Sequence, residues 1–248
     1  MKFKTFGKKE NPAVVLLHGG GLSWWSLRKI IALLEEEYYL VAPIIDGHGE
    51  DGETTFISIE DSARKLIGYI DEALGGKVHT ICGLSIGGQI AAEVLSQRND
   101  ISTYALLEST LVYPIPGTRL LTVPVYSMAY GWLKNKSFAK LQAKSLFVTE
   151  DLFDLYYQDS LKISKQSLIN ITLSNGEYSI KDGLKDTKAK VGVVVGGKEL
   201  GIMKKSARAL TEALPGSERI ELPKYGHGEL SLVHADEYVD VLKKLWMK

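Results

Sequence analysis

"ICGLSIGGQIAAEVLS", residues 81–96, sets one serine, Ser85, between Gly83 and Gly87, with a third glycine at Gly88, directly after an apolar run. The run ends near Cys82 and a helical pattern starts near Ile86, so Ser85 falls on a strand-to-helix turn. A side chain held out on so sharp a turn requires strained backbone, and neighbours lacking Cβ atoms keep the turn clear of the flanking strand and helix. Gly83-Leu84-Ser85-Ile86-Gly87 has the pattern of a nucleophile elbow, G-x-S-x-G, which aims the positive end of the following helix at the serine. Serine is also a favoured helix N-cap, so a competing reading has Ser85 merely start the helix.

Two further segments bear on that choice. "LLHGGG" (16–21) closes an apolar run with three glycines, whose bare backbone lets N–H groups approach a ligand oxygen. "LPKYGHGEL" (222–230) places His227 between Gly226 and Gly228 just after another strand-like run, where an imidazole can project toward the same edge of a sheet. A serine, an acid and then a histidine, in that chain order, is one of the known arrangements for nucleophilic catalysis.

Around these segments the chain alternates strand-like and helix-like stretches, which predicts parallel strands joined by crossover helices. The strands are expected at 2–6, 13–17, 39–43, 77–82, 103–108, 190–195 and 217–222, several of them apolar on both faces. "WSLRKIIALLEEE", "SIEDSARKLIGYIDEAL", "IGGQIAAEVLSQR", "KKSARALTEAL" and "ADEYVDVLKKLW" carry apolar residues three and four apart and are the expected covering helices. Between Thr110 and Lys188 no strand is expected, a gap far longer than an ordinary loop. Its pieces "LLTVPVYSMAYGWLK", "SFAKLQAKSLF", "EDLFDLYYQDSLK" and "SKQSLINITLS" read as helices, so the expected organisation is a core of residues 1–110 and 189–248 with a helical cap over 111–188.

The 248 residues are 45% hydrophobic, enough for one substantial core. Thirty Lys and Arg balance thirty Asp and Glu, and this bulk neutrality offers no attraction for nucleic acid or an anionic membrane; a small-molecule substrate is the expected partner. Cys82 is the only cysteine, which excludes an internal disulfide and suits a reducing compartment. No signal-like segment and no long uninterrupted apolar run is visible, so a cytoplasmic protein is expected. The oligomeric state is not legible.

With these segments in view, the sequence resembles the α/β-hydrolase superfamily, in particular its capped, esterase-like members. The resemblance spans nearly the whole chain: "HGGG", then "IIDGHGEDG" (44–52), similar to a shortened D-x-x-G-H-G-x-S, then the serine turn, the cap gap and the terminal Gly-His. It implies a mostly parallel central sheet with helices on both faces, its first antiparallel strands trimmed, and a serine nucleophile that needs no cofactor. The family shows G-x-x-D after the strand "VGVVV", where this chain has Gly196-Gly197-Lys198-Glu199, so Glu199 is the expected acid. Glu108, at the end of the preceding strand, is the alternative, since some members carry their acid there. The resemblance also implies an oxyanion hole from the N–H of Ile86 and of Gly20, with Gly21 as the alternative donor.

Trp24 and Trp25 beside the glycine loop are candidates to line the substrate pocket, with one of them expected to pack as core. His18 is expected to brace its loop, and His48 to organise the turn after the third strand with Asp46 as partner. His79 is expected to be structural, and His234 to serve a capping or surface role. No close metal-ligand spacing occurs, so no metal is expected. The leading functional expectation is hydrolysis of a small or medium apolar carboxylic ester. The alternatives are another bond cleaved by the same residues (carbon–carbon, amide, thioester, acylglycerol), or a ligand receptor on the same fold.

Overall fold

The computed structural model describes residues 1–247. Seven strands form one sheet in the order β1-β3-β2-β4-β5-β6-β7: β1 Lys2–Phe6, β2 Ala13–Leu17, β3 Tyr39–Ile44, β4 Val78–Leu84, β5 Ser102–Glu108, β6 Lys190–Gly196 and β7 Glu218–Leu222. Only β1 runs antiparallel, on β3 at the sheet's edge; the other pairings are parallel. Six of the seven are where the sequence predicts them to within one residue, because apolar runs bounded by turn residues are the plainest strand signal. β4 differs most, running on through Leu84 to the serine itself.

Alternate residues of each strand feed two separate cores, as side chains of a pleated strand must. Val15, Leu17, Ala105, Leu107, Val191, Val193 and Val195 pack on one face. That face is covered by α2 (Ile59–Ala73), α3 (Ile86–Gln97) and α8 (Gly201–Ala213). Val14, Leu16, Leu106 and Val194 pack on the other, beneath α1 (Arg28–Leu34) and α10 (Ala235–Trp246). This sandwiching is why the parallel strands read as continuous apolar runs.

Between β5 and β6 lie four helices, α4 (Thr118–Leu133), α5 (Lys136–Ser145), α6 (Glu150–Lys162) and α7 (Lys165–Glu177). Asn135 and Ser164 cap α5 and α7 with side-chain oxygens on the first-turn N–H groups. Buried Gln89 of α3 ties down both ends of this insertion, its amide donating to Leu111 O at 2.8 Å and Asn175 O at 3.0 Å. A third cluster joins Leu22, Trp25 and Leu84 of the sheet side to Ala139, Ala143 and Tyr156 of α5 and α6. The insertion is thereby packed against the C-terminal end of β4, where Ser85 follows.

Candidate active site

Ser85 has φ 55° and ψ −114°, a conformation that L-residues rarely adopt and that only surrounding structure can hold. The three glycines permit it by closeness rather than by flexibility. A Cβ on Gly83 would lie 2.2 Å from Gly87 O, and one on Gly87 2.6 Å from both His18 O and Leu17 O. On Gly88 it would meet Thr110 Oγ1 at 2.0 Å. Any side chain at these positions collides with the turn, with β2 or with the segment after β5. Ser85 starts α3 with its carbonyl, which accepts from Gln89 N at 3.0 Å, but its hydroxyl makes no capping bond. That hydroxyl instead meets His227 Nε2 at 3.0 Å, which answers the competing N-cap reading.

His227 comes from the loop between β7 and the short helix α9 (Glu229–Val233). Its Nδ1 lies 2.8 Å from Glu199 Oε2, so the Nδ1 hydrogen donates to the carboxylate and leaves Nε2 to accept from Ser85. The Glu199 side chain is fully buried whereas that of His227 is 48% exposed, so the imidazole is reachable from outside and its carboxylate partner is not. Burial alone would raise the Glu199 pKa, but hydrogen bonds from His227, the Gly196 N–H and Ser109 hold it below the ordinary carboxylate value. Gly196 N donates to Glu199 Oε1 at 2.7 Å.

The second oxygen of Glu199 reveals a residue absent from the sequence expectations. Ser109, at φ 51° directly after β5, donates its hydroxyl to Glu199 Oε1 at 2.9 Å and accepts from Gly228 N at 3.1 Å. One buried hydroxyl thus couples the acid's loop to the histidine's loop. Its partners lie 90 and 119 residues away in sequence, and nothing in "ALLES" marks it.

Glu108 is close by but faces elsewhere. Its Oε1 accepts from Ser231 N at 3.3 Å, its Oε2 has no hydrogen-bond partner, and burial pushes its pKa up to about 7. Of the two acids, Glu199 is the one in contact with His227.

The glycine loop after β2 comes to the start of α3: a Cβ on Gly20 would stand 3.7 Å from Ile86 Cγ2. Gly21, at φ 74°, turns instead toward Leu146 of α5's end, 3.5 Å from where its Cβ would be. The N–H of Ile86 is the first of its helix and has no intrahelical acceptor. His18 braces this loop, with Nδ1 on Gly19 O at 2.9 Å and Nε2 accepting from Ile45 N at 3.2 Å. Burial, with His48 beside it, lowers the His18 pKa to about 3, so it stays neutral. His48 bonds the main-chain oxygen of Asp46 at 3.0 Å rather than its carboxylate, which pairs with Lys65. His79 packs among Tyr38, Tyr104 and Trp246. His234 opens α10 and stacks on Tyr225 with ring centroids 4.5 Å apart.

A cavity of about 300 Å³ lies between the glycine loop and the insertion, lined by Gly20, Gly21, His48, Tyr126, Leu146 and Tyr156 among others. Neither Trp24 nor Trp25 is among its lining residues, and Trp25 packs as core. Trp25 is drawn into the third cluster because its Nε1 donates to buried Asp159 Oδ2 at 2.9 Å, across 134 residues. Trp24 turns toward Phe6 and Lys4 on β1. The aromatic residues that line the cavity are Tyr126 and Tyr156, with His48 beside the glycine loop.

The sequence pattern of the alpha/beta hydrolase family matches residues 14–241, a span that holds the glycine loop, Ser85, Glu199 and His227. The chain belongs to the alpha/beta hydrolase family. An AB hydrolase superfamily protein of Gibberella zeae is 30% identical over 168 residues, 60% of this chain, and the match spans 57% of that relative's length. The uncharacterized hydrolase YugF of Bacillus subtilis is 26% identical over 237 residues, 88% of this chain and 85% of its own. Among solved structures, an esterase of Thermogutta terrifontis superposes with a TM-score of 0.76 at 20% identity, over 98% of this hydrolase and 93% of that chain. A structure described with carboxylesterases of Nitrososphaera gargenis gives 0.78 at 20% identity, over 99% and 93%. At such identities these likenesses speak for the fold. Among the described residues of the hydrolase, no helix is long and apolar enough to cross a membrane.

Proposed function

We propose that this hydrolase is a serine carboxylesterase that cleaves small or medium apolar esters through an acyl-enzyme formed on Ser85. The observation that carries the reading is the continuous relay from the Ser85 hydroxyl through His227, at 3.0 Å, to Glu199, at 2.8 Å, on a strained turn. In the first half-reaction Ser85 Oγ attacks the ester carbonyl while His227 Nε2 takes its proton. Glu199 holds the imidazole in the Nδ1–H tautomer and stabilises the imidazolium that forms. The N–H groups of Ile86 and Gly20, with Gly21 as the alternative, receive the charge developing on the carbonyl oxygen. His227 then protonates the leaving alcohol, and water repeats the proton transfers to release the acid. The helices of 111–188 act as a cap that shapes the pocket. The cavity's modest volume and its Leu146, Tyr126 and Tyr156 lining favour a compact apolar substrate.

Hydrolysis of p-nitrophenyl esters from acetate to laurate by the wild type and Ser85→Ala tests the reading. Turnover with a short- or medium-chain optimum that disappears in Ser85→Ala is expected. Equal hydrolysis by the two proteins, or none by either, overturns it.

A further inference from the structure

α4 is built inside out. Its packed face carries hydroxyls at a spacing of four: Thr118, Thr122, Tyr126 and Tyr130. Tyr126 meets Thr172 Oγ1 at 2.8 Å, Tyr130 donates to Ile163 O at 2.8 Å, and a Cβ on Gly176 of α7 would touch Thr118 at 2.7 Å. The opposite face carries Leu121, Val125, Met128 and Trp132 at helical spacing, with Leu120 beside them. All five are exposed, Met128 by 85%, Leu120 by 76% and Trp132 by 73%. Leu141 on α5 is exposed as well. Single exposed apolar residues are ordinary, but a stripe along a whole helix marks a surface that is covered in use.

Along the chain, the charge of this segment is one-sided. From Ser109 to Thr149 there is no Asp or Glu, while Arg119, Lys134, Lys136, Lys140 and Lys144 are all cations. The chain's zero net charge is therefore an average over unlike parts, and the sequence expectation of no membrane partner rested on that average. Arg119 and Lys136 are paired with Glu177 and Asp154 of neighbouring helices; Lys134, Lys140 and Lys144 stand exposed.

We infer that α4 is an interfacial helix that seats the protein on an anionic lipid surface, its Leu121–Trp132 stripe entering the headgroup layer and the exposed lysines of the same segment contacting the headgroup charge. An apolar stripe with a tryptophan at one end, in a segment whose only charged residues are basic, is the composition of helices that lie in that layer. A second copy of the chain is a poor occupant. Across a two-fold axis the same patch meets itself, bringing the lysines of both copies together with no carboxylate from this segment to answer them. Tyr126, on the packed face of the same helix, lines the cavity, so docking would bring a wall of the substrate pocket to the lipid surface. The inference concerns binding and stands apart from the ester chemistry.

Flotation of the protein with phosphatidylcholine vesicles, with and without phosphatidylserine, tests it. The wild type is expected to float with the anionic vesicles, less with the neutral ones, and less as salt rises. Met128→Glu/Trp132→Ser and Lys140→Glu/Lys144→Glu are each expected to lower the bound fraction by about tenfold or more. Both pairs change exposed side chains, so their circular dichroism should match the wild type. Failure of the wild type to float, or flotation of both variants like the wild type, overturns the inference. So does a dimer, seen by light scattering without lipid and lost in Met128→Glu/Trp132→Ser, combined with no vesicle binding.

Discussion

Glu108 carries a carboxyl that burial pushes from the ordinary 4.5 up to about 7, and Glu108→Gln removes that titration. Between those values the folded protein holds a proton on Glu108 that the unfolded chain has released, so wild-type stability falls as pH rises through this window. The gap corresponds to about 3 kcal/mol once pH exceeds both values, and to less than about 1 kcal/mol near pH 5. Glutamine has nearly the same shape and keeps an oxygen for the Ser231 N–H. Its amide is buried at the position of Oε2, which has no partner, but any resulting penalty is the same at all pH values and cancels in a comparison. Urea unfolding of both proteins at about pH 5 and pH 8 should therefore show the variant's stability relative to wild type improving by about 2–3 kcal/mol at the higher pH. A change under about 0.5 kcal/mol, or one of opposite sign, would refute the reasoning that Glu108 is a desolvated acid whose pKa burial raises. Turnover of Glu108→Gln should stay close to wild type, because its carboxyl does not touch His227.

Glu199→Gln, by contrast, should lower kcat by about a hundred- to ten-thousand-fold, since the amide favours the wrong imidazole tautomer; steady-state kinetics of the two glutamine variants side by side check this, and the reverse pattern would make Glu108 the acid. Ser109→Ala should lower kcat by about tenfold with KM little changed, and reduce stability by about 1–3 kcal/mol, because Gly228 N–H loses its acceptor and Glu199 one donor. Gly88→Ala should destabilise by about 1–3 kcal/mol through the clash with Thr110 Oγ1, measurable by thermal unfolding, and Thr110→Ala in the same chain should recover part of the loss.

The strands were legible because residues such as Val14 to Leu17 and Val193 to Val195 are buried on both faces, and a strand covered by helices on both sides must be apolar at every position. The serine turn was legible because three close approaches each demand glycine, which leaves a mark in sequence that few other contacts leave. What escaped the sequence are contacts made between distant segments. Trp25 follows the glycine loop directly, yet a buried carboxylate far along the chain, Asp159, sets its direction. Ser109 owes its position to Glu199 and Gly228, and neither lies near it in sequence. Glu199 and Glu108 both end or follow strands at the same edge of the sheet, so only the packing of their loops distinguishes them. α4 reads as a cap helix, but periodicity shows only that its faces differ and not which one packs.

The most direct test of Ser85 as nucleophile is covalent labelling with a fluorophosphonate, followed by intact mass and peptide mapping. A single adduct on Ser85, formed quickly by the wild type, much more slowly by His227→Ala and not at all by Ser85→Ala, is the predicted result. An unlabelled wild type, or an adduct on any other residue, would contradict the claim that Ser85 is the nucleophile activated by His227.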